Sequence, residues 1–517
     1  MVNTRFHSIN RRDLLAAGAG LVGLGLTGGV RAASPGSAAT LRLAMAVQPV
    51  SDPHAAGWLP ASILAGQVLD RLCTLDHDNR LRPGLAKSWE VDGSLRQWTF
   101  HLDPAARWHD GSPVSADAII WNIRRMLAPG TGSSMRGLLA PLLIDDDGKE
   151  LWATDALEAA TPQTLMLRLK SPRMDLPYLF DHYAALMMNP ADGGRFGVGA
   201  SGSGAYRLVD FEARRLAVLE AVPGRGARIQ RVEVVDLGDE PLASLAALRS
   251  HQVDGVLQAD PEQHDILAAD PDLTLYEADT TATAFLQMKV NQAPFNDARV
   301  RRALRLACDS EAVLKLAQRG RGRLAEHHAV SPLHPSYAAL PAGGYDPDGA
   351  ARLLSEAGYP SGIDLTVTCK PDPAWEKAAV QVIQAGWKRA GIRAAIQVVP
   401  SGLFWDNWAD YPLAFVEWAH RPLATQLLSL TLRSGVDWNA TGFADAEFDA
   451  LLSEAETLAD PEKRRAVMKK IEALLQERGP LVQPIWRSVM TAWNRRVSGF
   501  RMHPQYWIDL KQLSLTT

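Results

Sequence analysis

The sequence predicts an α/β protein with mixed sheets flanked by helices, and three stretches carry that expectation. First, Ile363 to Thr368 reads as a strand, Trp375 to Ala390 as a long helix and the following IRAAIQVV as a second strand, a βαβ-like passage. Second, the strand-like Arg231 to Leu237 is followed by the helical ASLAALRSHQ and the strand VDGVLQA. Third, Arg82 to Met126 predicts a hairpin feeding a capped helix. Its strands, Ser88 to Val91 and Gln97 to Leu102, flank Asp92-Gly93, and the second alternates Trp98, Phe100 and Leu102 with Gln97, Thr99 and His101. After a turn at Asp110-Gly111-Ser112-Pro113, Ser115 is the expected N-cap. Asp117 then meets the unpaired N–H groups of the first turn, and Ile119, Ile120, Ile123 and Met126 recur at helical spacing.

The chain of 517 residues, 47% hydrophobic and 22% charged, has room for two or three domains with a large core. A formal charge of -4 supplies no basic field, so nucleic acid is not an expected partner. At the N-terminus, Arg5, Arg11 and Arg12 precede the weakly polar run LLAAGAGLVGLGLTGGV, which ends at Arg31-Ala32-Ala33-Ser34. This predicts an export signal over residues 1–33. The paired arginines of NRRDLL resemble a twin-arginine signature, with a general secretory signal or a retained anchor as alternatives. No later segment approaches 18 apolar residues, so the mature body is expected to be soluble outside the cytoplasmic membrane. Cys73, Cys308 and Cys369 lie far apart in apolar contexts and read as buried thiols.

In chain order, LRLAMAV from Leu41 is a first strand, followed by a turn-rich loop with Asp52, His54 and Trp58 that faces either a ligand or solvent. Ser62 to Leu75 reads as an apolar helix. TLMLRLK, from Thr164, is a period-two strand, and Leu176 to Met188 is an apolar, aromatic helix or buried run. Gly197, Gly199 and Gly202 match the G-x-G-x-x-G spacing. No strand precedes them and the strand-like AYRLVDFE follows where a dinucleotide site needs a helix, so they read as a turn. Arg214 to Glu220 and FLQMKV from Phe285 are further strands. Asp297 caps a helix carrying Val300 and Leu304, and Arg299, Arg301, Arg302 and Arg305 are expected on its solvated face. His327, His328 and His334 match no zinc spacing and are expected in a surface loop, leaving no metal site. Phe448 to Leu458 and Lys463 to Gln476 are amphipathic helices, and LVQPIW opens a last strand.

Tryptophan falls in two clusters, six of 15 between Trp58 and Trp152 and nine from Trp375 onward. Phe404, Trp405, Trp408, Tyr411, Trp418 and Trp438 exceed the needs of one core and are candidates to line a cleft.

The wording of the chain resembles the extracytoplasmic solute-binding proteins of the peptide, opine and nickel ABC importers, bacterial extracellular solute-binding protein family 5. The resemblance is carried, in order, by LRPGLAKSWEVDG, WTFHLDPAARWHDGSPVSADAIIWNI, GSGAYRL, FNDARVRRALRLACD, GGYDPDGAARLLSEAGYP, IDLTVTC, FVEWAHRP and LVQPIW. It implies a two-lobed periplasmic binding protein, type II-like with an extra domain and a ligand cleft between lobes. Lobe I would comprise 34–75, 200–285 and 485–517, the extra domain 76–199, and lobe II 286–484. The resemblance further implies a periplasmic monomer without cofactor or catalytic residue, which captures a small solute or short peptide and delivers it to ABC importer permease subunits.

Peptide binders of the family often carry Trp-x-Asp, the carboxylate meeting the ligand ammonium. Here Trp418 stands at that tryptophan, but His420 occupies the aspartate position, with Glu417 and Arg421 beside them. The departure favours an anionic, metal-chelated or otherwise non-peptide solute at least as well as a peptide. Resemblance also nominates Ser203 and Gly204, in a GTGP-like loop, and Asn439 after Trp438. With Phe404, Trp405, His54 and Trp58 these complete the expected ligand-binding set. Other readings of the same fold are a sensor or a peptide-binding chaperone. A secreted hydrolase is more remote, since G-x-S-x-G and H-E-x-x-H are absent.

Overall fold

The computed structural model describes residues 40–57, 59–238, 241–341, 343–458 and 460–516. The expected export signal and Trp58 lie outside the described residues. Two long strands, Leu273–Met288 and Leu481–Asn494, pair antiparallel from Leu273↔Asn494 to Gln287↔Leu481. Their register breaks between Asp279 and Thr283 and again between Ala284 and Leu286. Every residue of the second strand is buried, the polar Gln483, Arg487, Ser488, Thr491 and Asn494 included.

On one side of the break the sheet continues through Gly255–Val256, Thr40–Ala44, Arg231–Val235, Leu216–Ala221 and Tyr206–Glu212. On the other it continues through Leu413–Trp418, Ile363–Cys369 and Ile392–Val398. With Gly322–Leu324 the sheet has 11 strands. Thr40–Ala44 with Arg231–Val235, and Ile363–Cys369 with Ile392–Val398, are parallel in an otherwise largely antiparallel sheet.

The βαβ passage forms as expected. Helix Ala374–Lys388 crosses between its strands and buries Trp375, Ala379, Val380, Ile383 and Trp387 as one stripe. The hairpin joins Thr164–Arg168 and Leu157–Thr161 in a separate four-stranded sheet. Ser115 Oγ accepts the Ala118 N–H at 3.2 Å, capping helix Ala116–Leu127, which buries Ile119, Ile123 and Met126 against Trp98 and Phe100. Each such side chain contributes about 1.5–3 kcal/mol by leaving water. Buried apolar residues between Leu72 and Met187, apart from Leu75 and Leu186, form one cluster, which Leu430 joins and on which Trp438 and Trp507 pack from elsewhere in the chain. The three cysteines are buried free thiols.

Three local expectations fail because distant partners decide them. The helix expected over Ser62 to Leu75 is Leu59–Ala65, and Cys73–Leu75 is a strand. The chain leaves the helix so that the Gln67 and Val68 carbonyls receive the N–H groups of Tyr206 and Gly204. Arg301 and Arg305 are buried rather than solvated. Arg305 donates to the carbonyls of Gly479, Gln476 and Glu477, and Arg301 to those of Phe295 and Arg478, closing the C-terminal end of helix Pro461–Arg478. The histidine segment is not a surface loop. His328 and His334 are buried, His334 Nε2 lies 3.0 Å from the Arg421 carbonyl, and His327 Nδ1 accepts the Gln483 N–H at 2.9 Å.

Candidate functional site

A cavity of about 300 Å³ opens beside the break in the two long strands. Strand Leu413–Trp418 delivers Glu417 and Trp418 to it, and the chain that follows adds His420 and Arg421. Trp405 and Trp408 come from helix Ser401–Asn407 and its end, and Trp438 from a later loop. Ala55–Gly57, Gln258, Tyr183 and Gln505 enclose it from other parts of the chain.

The tryptophans form one contiguous wall. The Trp418 ring lies 5.7 Å from Trp408 and 5.8 Å from Trp438, and Trp408 lies 6.5 Å from Trp405. Tyr183 extends the wall by packing on Trp438 at 6.4 Å. Edge-on and tilted arrangements of this kind make a rigid apolar surface suited to the flat or aliphatic part of a ligand.

Charge is distributed unevenly over that wall. Glu417 is bonded to the buried Arg487 and lies 4.0 Å from Lys370, itself bonded to the buried Glu376. These two cations and two anions balance. Arg421 differs: its guanidinium is buried, donating to the His420 carbonyl at 3.2 Å and lying 3.3 Å from His182 Nε2 and 5.4 Å from the Tyr183 ring centroid. The Tyr183 hydroxyl also bonds it and the Asp181 carboxylate acts on its charge, but among the described residues no carboxylate comes within ion-pairing distance, and its Nε–H has no acceptor. His182 and His420 do not share the charge in a compensating sense, since burial pushes both imidazoles well below their ordinary pKa. His420 is also fully engaged. Its Nδ1 accepts the Thr281 N–H at 3.0 Å, which leaves the proton on Nε2 to donate to Asn79 Oδ1 at 2.9 Å. The Trp418 Nε1–H and the Gln258 amide nitrogen are likewise buried without an acceptor. The cavity thus combines an aromatic wall with a buried cation and unmet donors.

Of the expected ligand-binding residues, the structure brings Trp405, Glu417, Trp418, His420, Arg421 and Trp438 to this cavity. It does not bring Phe404, which packs inward on Trp405 and Tyr411. Asn439 is absent from the lining; its amide donates to the Leu432, Arg433 and Phe443 carbonyls and holds its own loop together. Ser203 and Gly204 also lie elsewhere. Ser203 Oγ accepts the Asp70 N–H, and Gly204 and Gly202 press on the Val68 backbone, where a Cβ at Gly202 would stand 1.8 Å from the Val68 carbonyl oxygen. His54 is turned inward, with Nε2 2.8 Å from the Leu186 carbonyl; the residues after it, Ala55–Gly57, Leu59 and Pro60, line the cavity instead. Tyr183, Gln258 and Gln505 were not singled out from the sequence. Tyr183 sits in the run already recognisable as apolar and aromatic, whereas Gln258 and Gln505 have no sequence signal.

Comparison with known proteins agrees with this architecture. The family model described as bacterial extracellular solute-binding proteins, family 5, middle, matches residues 80–440. The periplasmic oligopeptide-binding protein OppA of Haemophilus influenzae is 25% identical over 82% of this chain and 83% of its own. The glutathione-binding protein GsiB of Pectobacterium atrosepticum is 23% identical over 90% of this chain and 92% of its own. Among solved structures, the binding protein AgaA of A. tumefaciens R10, in complex with agropinic acid, superposes with a TM-score of 0.83 at 19% identity, covering 93% of this chain and 99% of that one.

Proposed function

From the premise that this chain belongs to the bacterial extracellular solute-binding proteins of family 5, we propose that it binds a small carboxylate-bearing solute in the periplasm and presents it to an ABC importer. Relatives named for binding oligopeptides and glutathione, and the neighbour holding agropinic acid, support the importer-ligand reading at the level of class. The observation that carries the finer reading is Arg421, a buried guanidinium on the cavity wall without a carboxylate within ion-pairing distance among the described residues. A ligand carboxylate there completes a charge-assisted pair in a site already stripped of water. Glu417 is the less suitable receptor for a ligand ammonium, because Arg487 and Lys370 already neutralise it. The tryptophan wall takes the remaining surface, and Trp418 and Gln258 supply donors for further ligand oxygens. No bond need be made or broken.

The division into lobe I, extra domain and lobe II belongs to the same proposal. The segregation of buried residues from Leu72 to Met187 supports it, as does the register break in the two long strands, which is where the lobes would flex. Closure of the lobes in a monomer would bring the Trp405 and Trp438 side against Gln258 and Gln505 around the solute.

Native mass spectrometry of freshly purified protein identifies any retained solute, and calorimetry then compares that solute with its amidated form. A carboxylate whose amidation abolishes binding is the expected result. A retained cationic solute, or equal affinity for acid and amide, overturns the assignment.

A further inference from the structure

One wall of the tryptophan-lined cavity, Ala55–Gly57, continues from a short turn, Pro53–Ala55. Asp52 caps that turn through Oδ1, which accepts the His54 N–H at 3.0 Å. Its other oxygen, Oδ2, accepts from Arg125 Nη2 at 2.7 Å. Arg125 stands in the last turn of helix Ala116–Leu127, whose apolar face belongs to the separate cluster around Trp98 and Phe100. The same guanidinium meets His54, with Nη1 3.3 Å from His54 Nδ1, while His54 Nε2 lies 2.8 Å from the Leu186 carbonyl. A carbonyl only accepts, so the imidazole proton is on Nε2 and the Nδ1 lone pair takes the Arg125 N–H. Burial keeps this imidazole neutral, its pKa lowered to about 4. One guanidinium therefore holds both the cap of the turn and the side chain buried within it.

Arg125 is fixed in its turn. Its guanidinium carbon lies 5.4 Å from the Trp121 ring centroid, and Nη2 lies 3.4 Å from the Gly194 carbonyl. Gly194 has a φ of +82°, and a Cβ there would stand 2.7 Å from Arg125 Nε, so glycine is what leaves the guanidinium its place. Two residues further on, the Phe196 N–H donates to the Ser51 carbonyl at 2.8 Å, which ties the approach to the turn to the same segment. The turn is thus fastened at Ser51, Asp52 and His54, and its continuation faces the cavity. Asp52, His54 and Arg125 themselves do not line it. A side chain that sets the position of a wall from behind acts on binding without contact with the solute.

The geometry points to Arg125 as a positioning residue for solute binding, which through Asp52 and His54 fixes the turn that carries the Ala55–Gly57 wall. This rests on the reading of that cavity as the solute site. Its test uses the whole mature protein. Naphthoate, an aromatic carboxylate suited to the tryptophan wall and Arg421, is the calorimetric probe, and amide hydrogen exchange is read by mass spectrometry over residues 53–60. In Arg125→Gln, exchange over that segment should rise while helix Ala116–Leu127 keeps its protection, and naphthoate should bind roughly two- to thirtyfold more weakly. Arg125→Lys, which keeps the charge but loses the fork, should recover part of that loss. Where Arg125→Gln does not fold, Asp52→Asn decides by the same two readouts. A loss of naphthoate affinity in Arg421→Gln with none in Arg125→Gln overturns the positioning role alone, and so does unchanged exchange over 53–60. Naphthoate that the parent does not bind, or that Arg421→Gln binds equally well, overturns the solute reading of the cavity and the positioning role with it.

Discussion

Replacing Arg421 with glutamine distinguishes a guanidinium kept for a ligand from one kept for the fold. Arg421 is buried with no carboxylate within ion-pairing distance among the described residues, and its polar partners are a carbonyl at 3.2 Å, a neutral imidazole at 3.3 Å and the Tyr183 hydroxyl, with the Asp181 charge acting from further away. Burying an unpaired cation costs several kcal/mol, against which such contacts return about 1.5–3 kcal/mol each. The variant should therefore unfold within about 1 kcal/mol of the parent, or be more stable. Binding should respond differently. Removing one partner of a buried charge pair costs about 2–5 kcal/mol, which at about 1.4 kcal/mol per decade is a loss of roughly 30-fold to several thousand-fold in affinity. Urea unfolding of the empty protein and calorimetry with the carboxylate solute measure the two quantities. The reasoning is refuted if the empty variant loses more than about 3 kcal/mol while affinity for the solute is unchanged.

Glu417→Gln should do the opposite, destabilising the empty protein by about 1.5–3 kcal/mol because it removes the paired carboxylate of the buried Arg487 and leaves it Tyr506 and the charges of Glu376 and Asp260, as chemical denaturation will show. Arg305→Met removes the donors to Gly479, Gln476 and Glu477 and should lower unfolding free energy by about 2–4 kcal/mol. His54, His334 and His503 are held neutral by burial, each with its pKa lowered to about 4. The unfolded chain therefore binds more protons than the folded one between about pH 4 and the ordinary histidine value near 6.5. Stability should rise with pH across that window and fall on acidification, and His54→Gln should flatten the slope of urea midpoint against pH. Glu472 has the reverse sign: burial raises its pKa to about 8, so its folded form keeps a proton that the unfolded form has released. Its contribution is full below about 4.5 and is lost as pH rises from there to about 8, and Glu472→Gln should reduce the decline in melting temperature across that window.

The parts of this protein legible in sequence are those decided within one element or between adjacent ones. Asp92 closes the hairpin loop by accepting the Arg96 and Gln97 N–H groups, Ser115 caps its helix, and the spacing of Trp375, Ala379, Val380, Ile383 and Trp387 declares the buried face of the crossover helix. The candidate site is legible only as a composition. An excess of tryptophan announced an aromatic surface, but whether Phe404 or Trp405 faces the cavity is a matter of helix rotation, and neighbouring positions on one helix split between core and wall. Ser203, Gly204 and Asn439 were nominated by position in a family pattern, which specifies where the chain passes and not which carbonyls its side chains satisfy.

Arg301, Arg305 and Arg421 show most clearly what sequence withholds. All three are arginines in polar contexts that read as solvated or ligand-facing, and all three are buried. Arg305 gives its donors to three carbonyls more than a hundred residues away in sequence, and Arg301 gives two of its own to the Phe295 and Arg478 carbonyls while its Nε–H stays unpaired. Arg421 meets the His420 carbonyl, His182 and the Tyr183 hydroxyl beside a cavity, and it too leaves Nε–H unpaired. Burial alone therefore does not separate a structural arginine from a receptor. The separation lies in what surrounds each guanidinium, backbone carbonyls within the core for Arg301 and Arg305 and the wall of a cavity for Arg421, and those surroundings exist only once the distant segments have come together.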